Sequence, residues 1–440
     1  MSSHSNHSSH SNKFDVIIIG GGIVGTSILR ELSRYRLSLC LLEKEAELSF
    51  GVSKSNSGIV HAGFHSEAST LKGRLCARGN FLYDELYNDL GIPFKRVGEL
   101  VVIKDSSEIE ELEKFKRWGE ECGVPDMLIL NKKEVHQYEP NLGDNIEGAL
   151  WAPTAGVVNP YEFVYFLAEN AKKNGAQIKT AEEVISICEM VGKGKKGENL
   201  LAVQTTKERY ETSFVINAAG LYGDRIAGML GINDFKIIPR KGEEYLLDRK
   251  LQGIVKHIIF PLPSKTSKGT LVIPTLDGTI MVGPSAEDVP DKNDLKTTDE
   301  ICWQIFSKAS EMIPSMNSRY LISTFAGNRP VAYRYKEPQN DDFIIGPTKI
   351  HGFINAAGIQ SPGLTAAPAI AEMIVSIVSE ECKKINKELL PNEYFVKTNP
   401  HIKKIRDMSD EELDQKIKDD PDFGKVVCRC EMVSEGEIIR

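Results

Sequence analysis

Phe14-Asp15-Val16-Ile17-Ile18-Ile19-Gly20-Gly21-Gly22-Ile23-Val24-Gly25 decides the fold of this chain. The β-branched run has the pattern of a strand buried on both faces, and order is expected to begin at Lys13. Gly20-x-Gly22-x-x-Gly25 follows it and opens a helical stretch that runs to about Arg34. In such a fingerprint the first glycine makes the tight turn, the second lets the backbone approach a pyrophosphate, and the third lets helix and strand pack closely. The helix N-terminus then offers unpaired N–H groups and a positive dipole end to phosphate. Leu37 to Leu42 reads as a second buried strand, closing a βαβ unit, and ends at Glu43. An acid at about that spacing suits a ribose diol. A glycine turn without a ligand shares the three glycines but needs neither the flanking strands nor Glu43.

Working outward, Leu71–Leu90 reads as a helix closed by Gly91, and Gly98–Ile103 as a strand. Ser106–Cys122 reads as a charged amphipathic helix with Ser106 as its N-cap, and Tyr161–Asn174 as a helix stopped by Gly175. Strand-like segments flank the Gly/Lys-rich turn 192–197, and Phe214–Gly220 is another buried strand ending in small residues. Residues 237–283 read as several strands with Pro/Gly turns, hence a mostly antiparallel sheet. Phe353-Ile354-Asn355-Ala356-Ala357-Gly358 enters a turn, and Gly363 precedes a closing helix over Thr365–Ser379. Gly358 and Gly363 either shape a helix end aimed at a flavin or make an ordinary helix-entry turn. The fingerprint alone does not choose between FAD and NAD. Its place at the N-terminus, with no second copy, favours FAD.

The chain has 440 residues, enough for two or three domains at about 150 residues each. Lys and Arg number 54 against 62 Asp and Glu, a net charge of −8, so the footprint of a nucleic-acid binder is missing. With 41% apolar and 26% charged residues the composition is globular. Mean hydropathy is −0.25, and no run is read as the roughly 20 apolar residues of a membrane span. Eight scattered cysteines do not make a secreted disulfide framework; reduced thiols and a cytoplasmic location are expected. Cys40, Cys188 and Cys302 sit among apolar residues and are expected to be small core hydrophobes, and His257 a strand residue rather than a ligand. Residues 1–12, with SSHSN occurring twice, are expected to be a disordered tail.

Beyond the fingerprint, Glu43-Lys44, Ser53-Lys54-Ser55-Asn56-Ser57-Gly58-Ile59-Val60-His61-Ala62-Gly63, Lys241-Gly242-Glu243, Phe325-Ala326-Gly327-Asn328-Arg329-Pro330 and Ser361-Pro362-Gly363-Leu364-Thr365 appear in order. Over residues 13–440 the chain resembles the FAD-dependent D-amino-acid-oxidase superfamily. Within it, the chain is most similar to the branch of glycerol-3-phosphate dehydrogenases and oxidases and L-2-hydroxyglutarate dehydrogenase. The resemblance implies a discontinuous α/β and α+β layout: a Rossmann-like FAD-binding part from 13–90, 155–225 and 325–380, and a mostly antiparallel substrate-binding sheet from 91–154 and 226–324. The implied FAD contacts are Gly20, Gly22 and Gly25; Glu43 and Lys44; Ser53, Asn56, Ser57 and Gly58; Val184 by its backbone near the adenine; Gly220 and Gly358; and Gly363, Leu364 and Thr365.

Four side chains are implied at the reaction centre. His61 matches the histidine beside the flavin, where an imidazole takes the hydroxyl proton as hydride leaves the adjacent carbon; a histidine that only hydrogen-bonds flavin or backbone is the alternative. Arg329 matches an arginine presented to the substrate, whose planar fork suits carboxylate or phosphate; the alternative is a structural ion pair. Lys268 matches a lysine reaching the substrate's anionic group, with Lys265 or a plain loop lysine as alternatives. Ser361 either bonds substrate or flavin or makes a turn or cap. The expected reaction is FAD-dependent dehydrogenation of a small anionic alcohol, most of all sn-glycerol 3-phosphate. A 2-hydroxy acid, an amine or amino acid, and a non-catalytic electron carrier are the competitors. The electron acceptor stays open among oxygen, quinone and protein.

The C-terminal stretch 381–440 ends in Val427-Cys428-Arg429-Cys430, which resembles the opening of a bacterioferritin-associated-ferredoxin-like [2Fe–2S] module. Such a cluster takes four thiolates, and no cysteine follows Cys430. Cys428 and Cys430 are therefore half a metal site, and the expectation is either a fragment of a longer chain or a decayed module.

Overall fold

A computed structural model describes residues 12–190, 192, 200–263, 269–399 and 403–439. The expected tail, all but its last residue, lies outside the described residues, as do Lys265 and Lys268. Two compact units, Met1–Lys397 and Thr398–Arg440, divide the chain.

The first strand, Lys13–Ile19, lies inside an eight-stranded sheet, parallel to Leu39–Leu42 on one side and to Arg209–Asn217 on the other. With neighbours on both edges and layers on both faces it has no polar face to present, which is why its sequence does not alternate. Val16 and Ile18 face one apolar layer with the helices Ile23–Leu32, Leu71–Leu90, Pro160–Lys173 and Gly363–Lys384. Ile17 and Ile19 face the other, with Val184, Val203 and Tyr210. Each such fully buried Ile or Val contributes about 1.5–3 kcal/mol. The outer strands Val184–Met190 and Leu200–Thr205 are antiparallel, and Ile344–Pro347 with Phe353–Ala357 extend the sheet beside Arg209–Asn217.

A nine-stranded sheet forms from residues 99–152 and 235–334. All its pairings are antiparallel except Ile258–Pro261 against Glu99–Ile103. Leu100 and Val102 pack under the helix Asp299–Met312, while Val101 and Ile103 pack under Ile109–Cys122, so both faces are covered. A small third sheet joins Ile59–Val60 and Phe94–Arg96 through Gly156–Val158.

Several elements differ from the sequence reading. Asp105 caps the 3-10 turn Ser106–Glu108 that leads into Ile109–Cys122, its side chain accepting the Ser107 N–H and forming a capping box with Glu108; Ser106 lies inside that turn, and the helix N-cap is Glu108. Cys188 is exposed, because it lies on the edge strand Val184–Met190, where only Val184 and Ile187 are buried. The closing helix runs Gly363–Lys384, long and apolar enough by length and composition to cross a membrane, with just over half of its apolar window buried. Leu321–Arg334 is one continuous strand paired along its length with Phe235–Leu247, so an expected boundary at 325 falls inside an element, as does that at 380. None of the eight cysteines is assigned to a disulfide.

In the second unit, Ser409 caps the helix Asp410–Asp419 with Glu412 completing the box. Val426–Cys428 pairs with Val433–Ser434, and the Cys428 and Cys430 sulfurs lie 3.2 Å apart.

Candidate active site

The glycine turn is shaped by what a side chain would strike. Gly20 has φ +113°, and a Cβ there would run into the Ala218 carbonyl. A Cβ at Gly25 would overlap the carbonyl oxygen of Gly20, so the helix approaches the strand only without it. Gly22 is the N-cap of Ile23–Leu32 and supplies no side-chain cap. One of the open N–H groups, that of Ile23, donates to Ser53 Oγ at 2.9 Å. Glu43 accepts from the Gly21 N–H at 2.6 Å through one oxygen and from the Glu45 N–H at 2.8 Å through the other. Each oxygen keeps a further lone pair for a hydroxyl. Burial raises the Glu43 pKa, against the pull of those two N–H groups.

A cavity of about 530 Å³ opens over this turn. Gly20, Gly22, Glu43, Lys44, Ser53, Asn56, Ser57, Val184 and Gly220 line it together with Ser361, Gly363 and Leu364. His61 and Arg329 line it too. Four expected residues do not. Gly25 and Gly58 shape the backbone, a Cβ at Gly58 (φ +65°) meeting the Val158 carbonyl at 2.6 Å. Gly358 packs on Ala332. Thr365 is buried, its hydroxyl accepting the His61 N–H at 3.0 Å and donating to the Ile59 carbonyl at 3.3 Å. Asn56 holds the lining loop, donating to the Ser53 carbonyl at 2.6 Å and accepting the Gly58 N–H at 2.8 Å. The N-cap of Gly363–Lys384 is Pro362, not Ser361. Lys268 lies outside the described residues; its neighbour Gly269 lines the cavity.

Register explains the far wall. Arg329 stands opposite Arg240, Gly327 opposite Gly242 and Phe325 opposite Glu244. Side chains two apart share a face, so Gly242 and Glu244 line the cavity with Gly327 and Arg329. Glu243 points the other way, binding the Tyr245 hydroxyl at 2.7 Å and the Thr298 N–H at 2.8 Å. Arg329 donates from Nη2 to the Ser285 carbonyl at 3.0 Å, and its Nε has no hydrogen-bond partner among the described residues. Glu244 accepts from Ser57 Oγ at 2.5 Å through Oε1, while Oε2 has no such partner. Burial pushes the Glu244 carboxyl up to about 7, with Ser57 and Arg329 restraining the rise. The sequence reading missed Glu244; a period-two count along the strand from Gly242 would have found it.

The arrangement is a long pocket with a backbone phosphate cradle and a ribose acceptor at one end. At the other are an imidazole, a guanidinium and a buried carboxyl. A family model described as DAO, FAD dependent oxidoreductase, matches residues 15–377. The chain belongs to this family. As a DAO-family oxidoreductase it is 43% identical over 427 residues to a glycerol 3-phosphate dehydrogenase of Caloramator mitchellensis, spanning 97% of this chain and 85% of that protein. To the mitochondrial L-2-hydroxyglutarate dehydrogenase of Nematostella vectensis it is 28% identical, over 84% of this chain and 91% of the other. Among solved structures, the reduced L-α-glycerophosphate oxidase of Mycoplasma pneumoniae with FAD bound superposes with a TM-score of 0.80 at 30% identity, covering 89% of this chain and 100% of that one. The open helix N-terminus, the side-chain-free glycines and the Glu43 acceptor fit the dinucleotide of the family's FAD.

Proposed function

We propose that this chain oxidises sn-glycerol 3-phosphate to dihydroxyacetone phosphate. The observation that carries the reading is a guanidinium with an unpartnered Nε in the same cavity as His61, in a chain 43% identical to a glycerol 3-phosphate dehydrogenase. A phosphate monoester carries close to two negative charges at neutral pH, and Arg329 offers it a planar pair of donors. Burial of Glu244 beside Arg329 favours its protonated form, which offers an O–H donor to the same wall where a carboxylate would repel the ester.

In this reading the eight-stranded sheet holds FAD through the Gly20–Gly25 turn, Ser53 and Glu43, and the nine-stranded sheet holds the substrate. FAD supplies the hydride acceptor. Arg329 fixes the phosphate, and His61 takes the proton of the secondary hydroxyl as the C–H bond beside it gives up its hydride and the carbonyl forms. Ser361, lining the cavity next to Gly363, orients the hydroxyl. The electrons pass on to oxygen, a quinone or a protein. Cysteines outside any disulfide suit a reducing, cytoplasmic setting.

The test is anaerobic bleaching of the flavin by glycerol 3-phosphate, L-2-hydroxyglutarate and L-lactate at equal concentration. Fastest bleaching by glycerol 3-phosphate is expected; faster bleaching by either hydroxy acid overturns the substrate.

A further inference from the structure

His61 does not stand alone. Glu99 opens the strand Glu99–Ile103 and is fully buried. Its Oε1 accepts the N–H of Ala62, the residue next to His61, at 3.0 Å. Its Oε2 lies 3.6 Å from His61 Nδ1 and 3.5 Å from His65 Nε2. Among the described residues, the neighbours of this cluster are mostly apolar, and the Arg96–Asp84 pair reaches it through Asn80. Ala152 and Ile258 stand opposite Glu99 on the neighbouring strands. Phe64, Phe115 and Phe260 pack on the His65 ring, and Phe260 also on that of His61. Asn80 binds the His61 carbonyl and Thr365 its N–H.

An ionised buried carboxylate attracts a protonated nitrogen, so across these contacts of 3.5–3.6 Å it favours the tautomer with its proton on the facing nitrogen. Burial works against ionisation of Glu99, but the two imidazoles outweigh it and hold its pKa well below the usual carboxylate range.

We propose that Glu99 is the positioning residue for His61: its carboxylate keeps the proton on Nδ1, leaves Nε2 as the basic nitrogen toward the cavity, and balances the imidazolium formed when the substrate proton arrives. The inference rests on the reading of His61 as proton acceptor. In the step, the substrate O–H bond breaks and an N–H bond forms at Nε2, the hydride goes to FAD, and Glu99 stays ionised throughout. His65 Nε2 faces the same oxygen at 3.5 Å, and the Ala62 N–H holds the other oxygen in place.

Nitrogen NMR of histidine side chains in the FAD-loaded protein reads the tautomer directly, with His61→Asn assigning the signal. Neutral His61 protonated on Nδ1 is expected; protonation on Nε2 overturns the proposal and needs no variant of Glu99. Glu99→Gln keeps the acceptor for the Ala62 N–H and removes the charge. It is expected to slow flavin bleaching on the order of 10²-fold or more with FAD content retained. The ascending limb of the pH–rate profile should move to lower pH, since the imidazolium loses its counter-charge. A slower variant with an unmoved limb and the wild-type tautomer means a merely structural role and overturns the proposal. If a hydroxy acid is the better reductant, the substrate reading fails and the same measurements are made with that acid. If His61→Asn bleaches as fast as wild type, the proton-acceptor reading fails and the proposal with it.

Discussion

Glu244→Gln isolates the cost of a buried carboxyl. The amide keeps an oxygen for the Ser57 hydroxyl and removes the ionisation. In the folded protein the carboxyl titrates near 7 against an ordinary 4.5. The folded state therefore holds a proton that the unfolded chain releases between those values. Its stabilisation is complete below the unfolded pKa, declines as pH rises through about 7, and changes no further above that. At about 1.4 kcal/mol per unit the loss is about 3 kcal/mol. A unit of some 400 residues, at about 2.1 cal/mol/K each, converts this to a Tm change of about 3–4 °C. The assay is thermal unfolding of wild type and variant at matched scan rate, at pH 5 and pH 8. Tm of the variant minus that of wild type is expected to rise by that amount between the two, with all other groups cancelling. A flat difference refutes the reasoning. A difference that falls with pH also refutes it, and would mean that attraction to Arg329 outweighs burial.

Arg329→Met should weaken capture of glycerol 3-phosphate by at least about 30-fold, read from the concentration dependence of flavin bleaching, with FAD content unchanged. Gly25→Ala should lower FAD retention, measured as the ratio of flavin to protein after gel filtration, because its methyl would press on the Gly20 carbonyl and push the helix off the strand. The 440-residue chain reconstituted with iron and sulfide should show no full complement of [2Fe–2S] absorption per chain, since Cys428 and Cys430 supply two of four thiolates.

What the sequence made legible was local. The glycine turn, the helix Leu71–Leu90 and the antiparallel run after residue 235 follow from patterns spanning a few residues, where backbone preference and side-chain period act directly. Ser53 and Arg329 came from motif resemblance, and the cavity brings them together. Glu244 was hidden because adjacent glutamates on a strand face opposite ways, and only the register tells which lines the pocket. Glu99 was hidden for a different reason. A lone acid at the head of an apolar strand reads as a solvated end, and its partners lie more than thirty positions away in sequence. Cys188 failed in the opposite sense, since apolar neighbours do not bury a residue on a sheet edge.

The Thr365 hydroxyl ties two segments together, accepting a hydrogen bond from the His61 N–H and donating one to the Ile59 carbonyl. The residue at that position must therefore be donor and acceptor at once, in a space closed to solvent. Serine meets that requirement; valine, although it has the same shape, meets neither half and would strand an amide and a carbonyl together. The start of a long helix and the backbone of His61 are thus joined through one oxygen atom. A displacement of either is transmitted to the other, and the spacing between helix end and imidazole behaves as a fixed dimension of the scaffold.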